Sequence, residues 1–228
     1  MHLADPRAAQ PARAQLRRLL AENAKRVGWT DPAIETLVAR AEITFPSDRF
    51  PLCTSAERRD FLPFLISGIA KVVCHIPRRR PVVVHFLGPG SFLCLPPTGT
   101  TPGLSHVSIV PHEDPVVALI PRAVLIEVIG RLPVGRAALL ASCTWRRTSR
   151  RLFAKCSLLG LPLRGRIVSE LFQLAHDLGQ ITPDGILIRV ELTHADIADL
   201  VAASRSSVSR CMVVMKRARA RLPKEAEA

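Results

Sequence analysis

"LTHADIADLVAASRSSVSRCMVVMKRARARL" fills residues 192–222 of a 228-residue chain and alternates apolar periodicity with hydroxyls and arginines. Thr193 can N-cap a helix that places Ile197, Ala198 and Val201 on one face. "AASR" (202–205) breaks the period, and Ser204 can cap a second helix. That helix sets Val208, Cys211, Met212 and Met215 inward at i, i+3, i+4 and i+7, leaving Arg205, Ser206, Ser209 and Arg210 on its exposed N-terminal half. A short helix, a tight turn and a cationic second helix make a helix-turn-helix. A major groove admits such a helix, Arg can bond guanine in bidentate fashion, and Ser can bond bases or phosphates. The "KRARAR" run (216–221) would add salt-sensitive attraction without sequence choice. The expected contacts with double-stranded DNA are Thr193, His194, Ser204, Arg205, Ser206, Ser207, Ser209, Arg210 and Lys216. A basic solvated face on a helical hairpin is the plainer alternative.

Composition points the same way. The net charge is +13, with Lys+Arg 32 against Asp+Glu 19, which suits a polyanionic partner. Only five of the basic residues are lysines, so a high arginine usage also contributes. Hydrophobic residues make up 48%, enough for one large or two modest ordered domains. No stretch has the roughly 20 apolar residues a membrane helix needs, and the N-terminus lacks a signal core, so a cytoplasmic protein with no membrane partner is expected. Six cysteines without a CxxC argue against a zinc site or a disulfide framework.

Upstream, Leu16, Leu19, Leu20, Asn23 and Val27 give a weak helical stripe after a frayed start. "DPAIETLVARAE" (31–42) reads as a short helix with Asp31 as N-cap and Pro32 in the first turn. From Ile43 to about Leu119, short apolar runs alternate with proline and glycine: "FLPFLISGIAKVVCHI", "PVVVHFLGPGSFLCL", "LSHVSIV" and "PVVALI". "PRRRP" (77–81) suits a turn between antiparallel strands, and the whole suggests a β-sandwich or barrel. "RAVLIEVI" is then a short helix, and Pro133 can open a long one running to about Leu159. On it Ala138, Ala141, Trp145, Thr148, Leu152, Lys155 and Leu159 form a coiled-coil-like seam, made imperfect by Thr148 and Lys155. The seam suggests a homodimer through Ala138, Ala141, Trp145, Thr148 and Leu152, unless the helix packs on its own β-domain. "LPLRGRIVSELFQLAHDLG" reads as an amphipathic helix ending at Gly179, and "GILIRVELT" as a strand or hairpin arm.

"LTHADIADLVAASRSSVSR" resembles the helix-turn-helix of the Crp/Fnr family of bacterial transcription regulators. "LRGRIVSELFQLA", around Gly165-Arg166-Ile167, resembles the helix that opens that family's DNA-binding domain. "FLISGIAKVV" and "FLGPGSFL" resemble its N-terminal effector domain. The resemblance covers roughly Ile43 to Leu222 and implies an α+β chain: an N-terminal β-roll like a cyclic-nucleotide-binding jelly roll, a long dimerisation helix and a C-terminal winged helix-turn-helix. The corresponding division is an N-terminal helical segment over 1–42, the β-roll over 43–130, the dimerisation helix over 131–160 and the DNA-binding domain over 161–228. By position, Arg205 and Arg210 match family residues that contact base edges, while Ser206 stands where a glutamate is common. The site read is therefore expected to differ from the family's usual half-site. The chain ends in "PKEAEA", so strands that complete the wing after the recognition helix are expected to be missing.

The resemblance also implies a sensor. Cyclic-AMP-binding members carry a Gly-Glu pair and a later arginine. Here Cys94-Leu95 takes the pair's place and "LSHVSIVPHEDP" has no arginine, so an effector other than cAMP, or none, is expected. Haem-containing members place a ligating cysteine in this turn, near Cys94, with a histidine two residues later where this chain has Pro96. His75, His106 or His112 would then supply a second haem ligand. Arg146, Arg147, Arg150 and Arg151 could hold a larger anionic nucleotide or form a solvated face. RNA polymerase is a further partner the resemblance implies. No enzyme is expected, since a cupin-like metal site using His75 and His85 lacks the usual histidine pair and carboxylate. A basic module for membrane surfaces or proteins would leave the patterned helix pair unexplained.

Overall fold

The computed structural model describes residues 2–3, 6–46, 51–54, 60–75, 81–93, 106–132, 155 and 160–219. It divides the chain into two compact units, residues 1–152 and 153–228.

In the N-terminal unit, β1 (His2–Leu3) precedes α1 (Pro6–Val27) and α2 (Asp31–Arg40). The strands are β2 (Glu42–Phe45), β3 (Cys53–Thr54), β4 (Phe61–His75), β5 (Val82–Leu87) and β6 (His106–Pro121), and α3 (Arg122–Gly130) follows. The sheet runs β1-β2-β6-β4-β5, with β3 also on β6, and every pairing is antiparallel. Cys74 pairs with Val82, so the two strands flanking "PRRRP" are antiparallel neighbours as expected.

Two expectations need correction. "LSHVSIV" and "PVVALI" read as separate strands because of the prolines between them, yet β6 runs unbroken from His106 to Pro121. The partner strand absorbs the irregularity: β4 shifts register between Leu65 and Ser67, Ser67 and Ile69, and Ile69 and Ala70. Gly68 lies inside this bulged stretch with φ +75, and a Cβ there would sit 2.2 Å from the Glu113 carbonyl oxygen. Proline is tolerated at such bulges because the ladder is already interrupted. In α2, Thr30 rather than Asp31 is the N-cap residue, and Asp31 and Pro32 occupy the first turn. There the Asp31 carboxylate faces the positive end of the helix dipole.

Nor is the 1–42 segment separate. Leu16, Leu20, Trp29, Ile34 and Leu37 are buried in one cluster with Phe64, Ile66, Ala118 and Ile120 of the sheet and Leu125 and Val128 of α3. The stripe read around Leu16 and Leu20 is thus the inner face of a helix that starts at Pro6, well before the frayed start allowed for. Polar side chains orient α1 on the sheet. Gln15 Nε2 donates to the Ile66 carbonyl at 3.0 Å, and Asn23 Nδ2 donates to the Gly90 carbonyl at 3.0 Å. Arg17 pairs with Glu35 across the two helices. A second apolar cluster, with Leu65, Val72, Val84, Leu93, Ile109 and Val117, fills the other side of the strands. "FLGPGSFL" closes on β4: Leu65 N–H donates to Ser91 O, Gly90 N–H to Leu65 O, and Leu93 N–H to Pro63 O.

The C-terminal unit contains α4 (Leu163–Leu178), the hairpin β7 (Gly179–Thr182) and β8 (Gly185–Ile188), α5 (His194–Leu200) and α6 (Arg205–Arg219). Helix α4 ends at Gly179 as expected, for a different reason. Gly179 is extended (φ −80) rather than left-handed, and a Cβ would lie 2.0 Å from the Ala175 carbonyl oxygen. Close approach, not a left-handed cap, demands glycine there. The hairpin precedes the α5–α6 pair, and residues 220–228 lie outside the described ones.

Candidate nucleic-acid interface

Helix α5 starts with a capping box. Asp196 N–H donates to Thr193 Oγ1 at 3.1 Å, and Thr193 N–H donates back to Asp196 Oδ2 at 3.0 Å. The Thr193 hydroxyl also donates to the same carboxylate oxygen, at 2.6 Å. The T-x-x-D spacing signals this box, and reading Thr193 alone missed Asp196. The helix ends with Val201 N–H on Ile197 O at 3.0 Å and Ala203 N–H on Ala198 O at 3.0 Å. Between them Ala202 takes φ +50, the left-handed residue of a Schellman motif, where glycine is the common choice. "AASR" therefore breaks the period by reversing the chain in three residues.

Ser204 caps the second helix as read: its Oγ accepts from Ser207 N–H at 3.1 Å. It also lies within hydrogen-bond reach of the Ser206 and Ser207 hydroxyls. Helix α6 holds five cations and no carboxylate, so its positive N-terminal dipole and side chains act in one sense. Val208 is completely buried, whereas Cys211, Met212 and Met215 are only half-buried. Arg205, Ser206, Arg210 and Lys216 are exposed. His194 and Ser209 are half-buried and bonded to each other, Nδ1 to Oγ at 2.9 Å, across the two helices. That bond uses part of their hydrogen-bonding capacity inside the motif, and Thr193 and Ser204 likewise spend theirs on caps.

The motif is held from behind by two cations that sequence reading did not place. Arg166, on α4, donates from Nη1 to the Val201 carbonyl at 2.6 Å. Lys155 Nζ donates to the Leu200 carbonyl at 2.7 Å and to Glu170 Oε1 at 2.8 Å. These carbonyls are among the last of α5, which have no partner within their own helix. Ile167 and Leu174 of α4 are buried in the same unit as Ile197, Leu200 and Val201. Within Gly165-Arg166-Ile167, each residue thus has its own place: Gly165 lies close to Leu161, Arg166 caps α5, and Ile167 fills the core.

Most of the sensor candidates are not among the described residues. Cys94, Arg146 and Arg150 lie outside the described residues, as do the seam residues Ala138, Ala141, Trp145, Thr148 and Leu152. His75 is half-buried, with Nε2 2.8 Å from Ser108 Oγ, and pairs across the sheet with His106. His85 pairs with Val72, three residues along β4 from His75 and so about 10 Å away along the strand. The register does not set the two cupin-like candidates side by side.

Comparison with known proteins agrees with this geometry. Residues 165–220 match the Crp-like helix-turn-helix domain. No curated protein sequence matches the chain. Among solved structures, the regulator CLP of Xanthomonas campestris, described as c-di-GMP responsive, superposes with TM-score 0.59 at 19% identity, over 83% of this chain and 93% of its own. A CooA mutant from Carboxydothermus hydrogenoformans gives TM-score 0.61 at 19% identity, over 79% of this chain and 78% of its own. FixK2 from Bradyrhizobium japonicum gives 0.60 at 17% identity, over 82% and 89%. A DNA-binding transcription regulator is the class that this fold and motif define. Within that class the chain carries the Crp-like helix-turn-helix and has the fold of the Crp/Fnr regulators.

Proposed function

We propose that the chain regulates transcription by binding a palindromic duplex-DNA site as a homodimer, with α6 of each copy in a major groove. The observation that carries this reading is the two-sided build of α6: Val208 is sunk in the core while Arg205, Ser206 and Arg210 stand exposed on its N-terminal half. Arg205 and Arg210 read base edges, and Ser206 bonds a base or phosphate with less selectivity than a carboxylate would. Lys216 and the ends of the two helices meet phosphates, and the His194–Ser209 bond keeps the α5 entrance against the recognition helix. Two such helices about 34 Å apart, one turn of B-DNA, match a two-fold site. RNA polymerase and a cytoplasmic setting complete the reading. The effector is not cAMP, and the chain works with another ligand or with none. Cys94-Leu95 in place of Gly-Glu and the missing arginine support this.

The test is selection of binding sites from random duplexes, followed by the double substitution R205A and R210A. A two-fold consensus should emerge. The double variant should lose at least about 30-fold affinity for it, since each bidentate arginine contributes roughly 1–3 kcal/mol of discrimination. Salt-sensitive binding to unrelated DNA should persist in that variant. No enriched sequence, or unchanged binding by the variant, would overturn the reading.

A further inference from the structure

Helix α6 has a buried side and an outward side, and one residue is out of character with the outward side that holds it. At 3.6 residues per turn, Ser206, Ser209, Arg210, Val213 and Arg217 fall within about one third of its circumference. Ser209 is half-buried and the other four are exposed, while Val208, on the opposite side, is completely buried. Val213 stands 48% exposed at the middle of this otherwise polar and cationic face. Single apolar residues on a surface are ordinary. Here the residue is β-branched, and a solvent-facing helix position favours alanine, lysine or arginine over valine. Neither core packing nor helix propensity accounts for it. We propose that Val213 is a specificity-determining residue, which reads the 5-methyl group of a thymine in the major groove.

The placement suits that role. Val213 lies one helical turn beyond Arg210 on the same face, about 4.5 Å along the axis, which is a little more than the ~3.4 Å of one base-pair step. It therefore addresses a base pair next to the one that Arg210 meets. Of the four DNA bases, thymine alone offers a methyl group to the major groove, and small apolar groups are its usual protein partners. The two γ-methyls of valine are held stiffly about χ1, so they present a fixed apolar surface with little side-chain entropy to lose. Arg210 and Arg217 on either side supply the charge that draws the face to DNA, and Val213 adds sequence choice without adding charge. Val214, 60% exposed, lies about 100° further round the helix at the rim of the face, where it serves as an internal comparison.

This inference rests on the DNA-binding reading above, and the experiment separates the two. The full-length chain, V213A and V214A are titrated at fixed salt against the selected duplex. They are also titrated against copies in which one thymine at a time is replaced by deoxyuridine, which removes the methyl group and keeps the base pairing. Val213 is exposed, so V213A should melt as the unaltered chain does. Expected is one thymine in each half-site whose demethylation weakens binding by the unaltered chain about fourfold, the factor that burying one methyl-sized group contributes. V213A should bind the thymine and deoxyuridine forms of that position equally, whereas V214A should keep the difference. A half-site with no methyl-sensitive thymine overturns the proposal. So does a V213A variant that keeps the full preference for thymine, since another residue then reads the methyl group. An unaltered chain with no preference among duplexes refutes the DNA reading instead.

Discussion

The two units are held together by different means. In the N-terminal unit two large apolar clusters lie on either side of a long-stranded antiparallel sheet, and its helices join the first of them. In the C-terminal unit the buried apolar set among the described residues is short, and polar bonds fix the chain where it turns: the Thr193–Asp196 box, the Ser204 cap, Arg166 on Val201, and Lys155 between Glu170 and Leu200. An apolar core tolerates few specifications beyond volume, whereas directed bonds define an angle. A unit that must present a helix to a groove needs the second kind of fixing. Deletions should therefore act as volume losses in one unit and as small, local, orientation-sensitive losses in the other.

The largest expected effect is in the first unit. Phe64→Ala empties a fully buried site packed edge-to-face against Phe92, 4.8 Å between ring centres. It should destabilise that unit by about 3–5 kcal/mol in denaturant melts, with the second unit's transition unmoved. Gly68→Ala comes next. The left-handed φ and the overlap with the Glu113 and Asp114 carbonyls should together take about 3 kcal/mol from the same transition. A near-neutral result would mean that the bulge relaxes easily and is not what lets β6 pass its prolines.

Thr193→Ala removes one half of the capping box and should cost the second unit about 1 kcal/mol, read as a shift of its melt alone. Specific DNA affinity should fall with it if the phosphates lie near this helix end, and more weakly if the hydroxyl serves only as a cap. The smallest change runs the other way. Ala202→Gly relieves a left-handed alanine and should stabilise the second unit by roughly 0.5–1 kcal/mol. An unchanged or lowered melting temperature would show that the stiffness of alanine in the turn outweighs its strain.

Much of this organisation was legible in the residues. The α5–α6 pair, the Thr193 and Ser204 caps, the inward Val208 and the outward Arg205 and Arg210 all follow from period and capping chemistry, which act within about one turn of helix. The antiparallel strands around "PRRRP" were legible for the same local reason. The strand ends in β6 were not, because Pro111 and Pro115 look like breaks until β4 shows a bulged partner opposite them. Helix α1 read as a weak stripe because part of its hold on the sheet is polar, through Gln15 and Asn23 onto backbone carbonyls far along the chain.

Local sequence thus determined the α5–α6 pair, the turn between its helices and which face of α6 is cationic, since propensity, capping and charge are set by near neighbours. Tertiary structure alone decided the partners of residues that periodicity marks as exceptions. Lys155 reads as a flaw in an apolar seam, but it lies 15 residues from Glu170 and 45 from Leu200, and only folding brings those acceptors to its ammonium. A charge can be buried only beside such partners, and sequence spacing carries no record of them.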